Sequence, residues 1–201
     1  MTSGRKREFD YESALDAAMH TFWQKGYVGT SMSDLIASMG INKPSMYRAF
    51  GNKESLFVKS TQHYLETKMK PQLALLNDKS INLYQRLKNH LMSIINMQCN
   101  PENALGCYMV LCQSELVSGE IPSEAAHILQ DAELMPKKLY TDLFNTDDEA
   151  IKLGLNKNAE ANALSLYTVL KGTASMARSG VTVSELEYLV DSILTGIGIH
   201  S

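Results

Sequence analysis

An all-α fold is predicted by three observations. Apolar residues recur at intervals of three and four along nearly the whole 201-residue chain. Helix-starting and helix-ending residues bracket each apolar run, and no stretch requires a sheet. The spacing also predicts two units: a cluster of short helices over residues 1–53 and a body of longer helices over 54–201.

The first helix is set by Leu15, Ala18, Met19 and Phe22 and ends at Gly26. Met32, Leu35, Ile36 and Met39 repeat the spacing and stop at Gly40, with Ser31 and Asp34 forming a capping box at the start. One residue later Asn42 caps a two-turn helix that tolerates Pro44 in its first turn. Met46, Tyr47 and Phe50 form its inward stripe, and Gly51 ends it in a left-handed conformation. Asn52 caps a longer helix from Lys53 to about Met69, with a break or kink at Pro71. Further helices are expected over 80–98, 102–118 and 122–145. The last two carry Ala163, Tyr167, Leu170, Ala174 and Ala177, then Leu186, Leu189, Val190, Ile193, Leu194 and Ile197.

The net charge of −3 is unevenly spread. Residues 1–53 hold seven Lys/Arg against five Asp/Glu, whereas the remainder holds twelve against seventeen. A mildly basic module on an acidic body suits a modular nucleic-acid binder better than a protein coated in cations. No run reaches the roughly 18 apolar residues of a membrane span, and the N-terminus lacks the apolar core of a signal peptide. A cytoplasmic protein with no membrane partner is expected. Cys99, Cys107 and Cys112 have no C-x-x-C spacing and read as structural thiols of a reducing compartment.

Two short helices joined by Gly40 and Ile41 and backed by a first helix have helix-turn-helix geometry. In such a module the second helix of the pair enters the major groove with its N-terminal residues at base edges. That assigns Lys43 and Ser45 to base edges, with Arg48 one turn on. The Tyr47 hydroxyl can donate to a phosphate while its ring rests on the core. Lys53, beside the N-terminal amides of the next helix, can hold another phosphate, and Ser31 or Ser33 can do so on the opposite flank. The basic tail Arg5, Lys6 and Arg7 adds sequence-independent attraction. The same hairpin also occurs in proteins that never touch DNA, so spacing alone leaves both readings open.

The stretch from Gly26 to Leu56, "GYVGTSMSDLIASMGINKPSMYRAFGNKESL", closely resembles the DNA-binding segment of the TetR family of transcriptional regulators. The landmarks are G-Y/F, T-S, an I-A-x-x-x-G turn, P/G-S-x-Y-x-x-F and N/S-K-E-x-L. The resemblance implies an all-helical homodimer whose heads bind adjacent major grooves of a pseudo-palindromic double-stranded DNA operator. It implies base contacts from Asn42, Lys43, Ser45 and Arg48, and phosphate contacts from Tyr47 and Lys53. Ala49 departs from relatives with a polar residue there, so the operator sequence does not carry over.

In the body the resemblance implies a C-terminal ligand-binding and dimerisation domain. Met92, Met97, Tyr108, Met109 and Met135 are the candidate lining of an effector pocket, since flexible thioethers make an adaptable apolar wall. Cys107 joins them as a thiol near a helix start, open to an oxidant or electrophile. Tyr167, Leu170, Ala174, Ala177, Leu189 and Ile193 are the expected dimer seam, although packing within one chain would use the same small residues. The histidines are scattered without a metal-ligand spacing, and no nucleophile elbow, P-loop or H-E-x-x-H occurs. The expected protein is therefore a ligand- or stress-responsive regulator, a repressor in the commoner family mode, needing no cofactor or metal and performing no catalysis. The rival is a helical small-molecule-binding or interaction protein whose head does not read DNA.

Overall fold

The computed structural model describes residues 9–200, which form eleven α-helices and no strand. The tail Arg5, Lys6 and Arg7, read above as a source of phosphate contacts, lies outside the described residues.

Side-chain caps set the helix starts. Asp10 opens α1 (Tyr11–Lys25) by accepting the Glu12 N–H at 3.0 Å. The Ser31–Asp34 capping box opens α2 (Met32–Met39). Asn42 and Asn52 accept the Ser45 and Ser55 N–H groups to start α3 (Lys43–Phe50) and α4 (Lys53–Tyr64). Gly40 closes α2 in the left-handed conformation. Gly51, expected to do the same for α3, has φ +83° with ψ −139°, a region open only to glycine rather than the left-handed helical one.

The expected break at Pro71 takes a different form. A π-helical turn, Leu65–Met69, widens the helix just upstream, and Lys70 N–H reaches back to the Leu65 carbonyl. Proline has no N–H and its ring crowds the carbonyl four residues earlier. The wider turn absorbs that conflict and the chain continues into α5 (Lys70–Ala74).

α6 (Leu83–Cys99) follows as expected. The helix expected over 102–118 is shorter: residues 101–107 are turns, and α7 spans Tyr108–Ser114. Gly106 has φ +84° and donates its N–H to the Gln98 carbonyl at 2.8 Å, which folds this segment back onto the end of α6. α8 (Ser123–Thr146) carries Pro136 in its interior. α9 (Asp148–Lys152) was not predicted, and α10 (Ala159–Arg178) and α11 (Val183–Gly196) complete the chain.

Two buried cores result. The first joins Phe22, Trp23, Met46 and Phe50 of the head to Phe57 and Tyr64 of α4, Tyr108 of α7 and Leu129 of α8, so it does not stop at residue 53. The second fills the space between α6, the C-terminal half of α8, α10 and α11.

A buried ion cluster fixes the far end of the body. The Arg86 guanidinium, 2% exposed, donates to Asp147 at 2.8 Å and Glu149 at 3.2 Å, while Lys79 also pairs with Asp147. Glu149 in turn accepts the Leu83 N–H at 2.6 Å, tying the start of α6 to α9. Burial pushes the Asp147 carboxyl up, but the bonds from Arg86 and Lys79 outweigh it and hold the group well below the usual carboxylate range. A depressed folded-state pKa stabilises fully above the unfolded value. This contribution is therefore complete above about pH 5 and fades as pH falls through about 4. Asp147→Ala leaves the buried guanidinium with only the half-exposed Glu149 as its carboxylate partner and removes the cap of α9, with an expected loss of about 3 kcal/mol in urea unfolding at neutral pH. The variant should also lose part of the acid-side slope of stability.

Candidate functional site

α3 turns its polar residues away from the head core. Lys43 and Arg48 are exposed and form no ion pair among the described residues, and Ser45 is half-buried beside them. Asn42 is exposed, with its Oδ1 engaged as the helix cap. Met46 and Phe50, four residues apart, fill the inward stripe, helped by Ile41. Tyr47 does not belong to that stripe: it is 44% exposed. A helical step of about 100° from Met46 carries it to the rim, where the Lys43 ammonium lies 6.0 Å from the ring centre and the hydroxyl has no partner among the described residues.

The flanking residues differ in readiness. Ser33 is exposed with no hydrogen-bond partner among the described residues. The Ser31 hydroxyl is engaged in its cap, donating to Asp34 at 2.6 Å and accepting the Asp34 N–H at 3.1 Å. Lys53 sits at the N-terminus of α4 with its ammonium 4.2 Å from the centre of the Tyr27 ring. Burial lowers the Lys53 pKa, opposed by the Glu115 and Glu120 carboxylates.

Glu115, just past α7, clasps the head to the body. Its carboxylate accepts the Tyr27 N–H at 2.7 Å and the Val28 N–H at 3.3 Å. The approach depends on Gly26, with φ +73°, because a Cβ there would lie 2.2 Å from Glu115 Oε1. A second tie runs from the Arg178 guanidinium at the end of α10 to the Trp23 carbonyl at 2.8 Å. A third is aromatic: the Tyr64 ring lies edge-on to Trp23 at 5.2 Å and stacks on Tyr108 at 4.9 Å.

Behind these ties a mostly apolar, part-open cleft with a cavity volume of about 80 Å³ lies between α4–α5, α6, α7, α8 and α10. Of the six residues expected to line a pocket, Met97, Cys107 and Met109 do so. Tyr108 instead packs in the first core, its hydroxyl 2.8 Å from that of Thr61. Met92 packs against the second core, and Met135 lies in a shallow groove on the outside of α8. Helical spacing identifies methionines that face inward without saying which interior they meet. The wall also includes polar residues that the sequence did not single out: Tyr64, Gln98, His90 and Tyr140. Both His90 ring nitrogens are engaged. Nδ1 donates to the Gln72 carbonyl at 2.8 Å and Nε2 accepts the Tyr140 hydroxyl at 2.7 Å. Burial pulls the imidazole down to about 4, so it is neutral near pH 7.

The cysteines separate by environment. Cys112 is fully buried, and burial pushes its thiol well up. Cys99 is half-buried beside the Val181 carbonyl, and burial raises it too. Cys107 stands at the mouth of α7 rather than inside a helix. Its Sγ is 3.5 Å from the Tyr64 hydroxyl, on the cleft wall.

The expected dimer seam is corrected at four positions. Tyr167, Leu170, Ala174 and Ala177 are buried within the chain, where α10 packs on α8 and α6, and Tyr167 and Leu170 reach the cleft. Leu189 and Ile193 are half-buried against the second core. The apolar stripe of α10 is long enough to be satisfied internally, so its outward face is the one carrying Leu164, Gly172 and Met176.

A capped hairpin with an exposed polar second helix, set on a helical body with a cleft, has the architecture of a helix-turn-helix protein. Residues 14–59 match the family model of the bacterial regulatory proteins, tetR family. The chain is 28% identical over 182 residues to the uncharacterized HTH-type transcriptional regulator YezE of Bacillus subtilis, covering 87% of this chain and 93% of that protein. It is 26% identical over 193 residues to the HTH-type transcriptional repressor ComR of Escherichia coli, covering 95% and 90% of the two chains. Among solved structures it resembles a cysteine mutant of the TetR family transcriptional regulator CifR in complex with 26 bp double-strand operator DNA. The TM-score is 0.82 at 27% identity, covering 96% of this chain and 98% of that one. Residues 14–59 thus carry the DNA-binding segment of the tetR family of bacterial regulatory proteins, and over nearly its whole length the chain is similar to a regulator of that family.

The Gly26 clasp can be tested directly. Gly26→Ala forces a side chain into a glycine conformation and displaces the Glu115 carboxylate, with an expected loss of about 1–3 kcal/mol in urea unfolding. Glu115→Gln should keep the shape but weaken both amide bonds. Amide hydrogen exchange at Tyr27 and Val28 should then be faster than in the parent protein.

Proposed function

We propose that this chain is a repressor that binds a pseudo-palindromic operator as a homodimer and is released when an effector occupies the cleft. The observation that carries this reading is the α3 face, where Lys43, Tyr47 and Arg48 are all exposed at the helix expected in the major groove. Asn42, Lys43, Ser45 and Arg48 read base edges, and Tyr47, Lys53 and Ser33 hold phosphates. Ser31 contributes through the helix N-terminus it caps.

Dimerisation uses the outward faces of the last two helices. On α10 Ala161, Leu164, Thr168, Gly172, Ser175 and Met176 are exposed, and on α11 Ser184, Tyr188, Ser192 and Thr195. These positions recur at three and four and carry no charge, the composition that two close-packed helix pairs require. The effector acts through α7, which lends Met109 and Gln113 to the cleft and is followed one residue on by Glu115 at the head. A ligand that shifts α7 or Tyr64 moves the Gly26–Val28 turn and changes the separation of the two heads. Operator half-sites demand a fixed separation of about 34–36 Å. Differential binding of about 1–3 kcal/mol is enough for a moderate switch. Oxidation of the Cys107 thiol by hydrogen peroxide, giving a sulfenic acid and water, would crowd the same wall. Loss of peroxide-induced release in Cys107→Ser, with ligand-induced release retained, would separate the two routes.

The test is fluorescence anisotropy on the fragment upstream of the protein's own reading frame, with competitor DNA. Lys43→Ala and Arg48→Ala should each weaken operator binding by about 10- to 100-fold and leave random DNA much less affected. Lys53→Ala should weaken both alike and reduce the salt slope by about one. Equal losses on operator and random DNA for all three variants would overturn these roles. Leu164→Arg should convert the dimer to monomer by sedimentation and abolish specific binding.

A further inference from the structure

We infer that the cleft takes a small, uncharged, mostly apolar molecule that donates one hydrogen bond to Gln98 Oε1. This deepens the effector reading above and rests on it. Gln98 lies in the last turn of α6, is 1% exposed and forms part of the cleft wall. Its Nε2 donates to the Leu170 carbonyl at 3.2 Å. A carbonyl can only accept, so that bond fixes which way the amide points. Oε1 is thereby left buried with no partner. Native proteins seldom leave such an acceptor unanswered, and it marks where a donor belongs.

The rest of the wall narrows the chemistry. Met69, Leu73, Ile94 and Met109 offer only apolar surface, and the Met97 sulfur accepts the Gln72 amide at 3.2 Å. His90 is neutral with both nitrogens occupied. Lys171 is matched by Glu133 at 3.3 Å, and the Gln113 amide donates to the Leu129 carbonyl. No unpaired charge is available for an ionic ligand. A carboxylate would set its oxygens against Gln98 Oε1, and an ether or ester would leave that atom as it is. An N–H or O–H on an apolar frame satisfies every constraint.

Indole and benzofuran differ by an N–H in place of a ring oxygen and are otherwise nearly the same shape, so they serve as probes. In calorimetric titrations of the whole protein without DNA, indole should bind at least about tenfold more tightly than benzofuran. In Gln98→Met, which keeps the volume and removes the acceptor, the two should bind within about threefold. Equal binding to the parent protein, binding of neither probe, or a preference that survives Gln98→Met would each overturn the inference. The parent comparison stands even if the variant fails to fold. Operator release is measured separately by anisotropy. Preferential indole binding without release would uphold the ligand class and overturn the effector reading. Release by another molecule that is not displaced by either probe would do the reverse.

Discussion

The carboxylate of Glu115 on the backbone N–H groups of Tyr27 and Val28 is the interaction through which body and head share one geometry. A charged acceptor on two amides at a turn holds position more strongly than apolar contact, because it fixes direction as well as distance. Gly26 leaves the space for it. The consequence reaches Lys53, whose ammonium rests on the ring of the same Tyr27. A displacement of Glu115 is therefore felt by a residue assigned to a DNA phosphate.

The cleft borders the elements that carry that clasp. α7 is short, with Met109, Val110 and Gln113 on the cleft wall and Glu115 just past its C-terminal end. Tyr64 gives a parallel route, touching the cleft with its hydroxyl and Trp23 with its ring. The buried ion cluster at Arg86 and Asp147 holds the opposite end of α6. An occupant of the cleft thus meets one rigid wall and one that leads to the head.

The local signals were the most legible in the sequence. Asp34 three residues after Ser31, Asn42 before Pro44 and Asn52 before Lys53 mark helix starts whose caps form as the residue types require. Less legible were features that depend on distant partners. Tyr47 sits at the edge of an apolar stripe, and only packing decides that it turns outward. α9 is five residues long and is started by Asp147, whose burial against Arg86 unites positions 61 residues apart. Gln98, Glu115 and His90 are ordinary polar residues in helical sequence, and nothing in their neighbours signals a cleft or a clasp.

The sequence by itself determined the helices, their caps and the order of landmarks from Gly26 to Leu56, because each arises among residues within a few positions of one another. It also determined that the Lys43 to Arg48 stretch has polar residues that a buried helix would not need. Only the tertiary structure decided that Ala174 and Ala177 of α10 face inward while Gly172 and Ser175 face outward, that Met97 and Met109 share a cleft while Met92 and Met135 do not, and that Glu115 meets Gly26. Those outcomes depend on which faces of separate helices come together. Apolar periodicity fixes that a helix has an inner face, and close packing against particular neighbours fixes what that face meets.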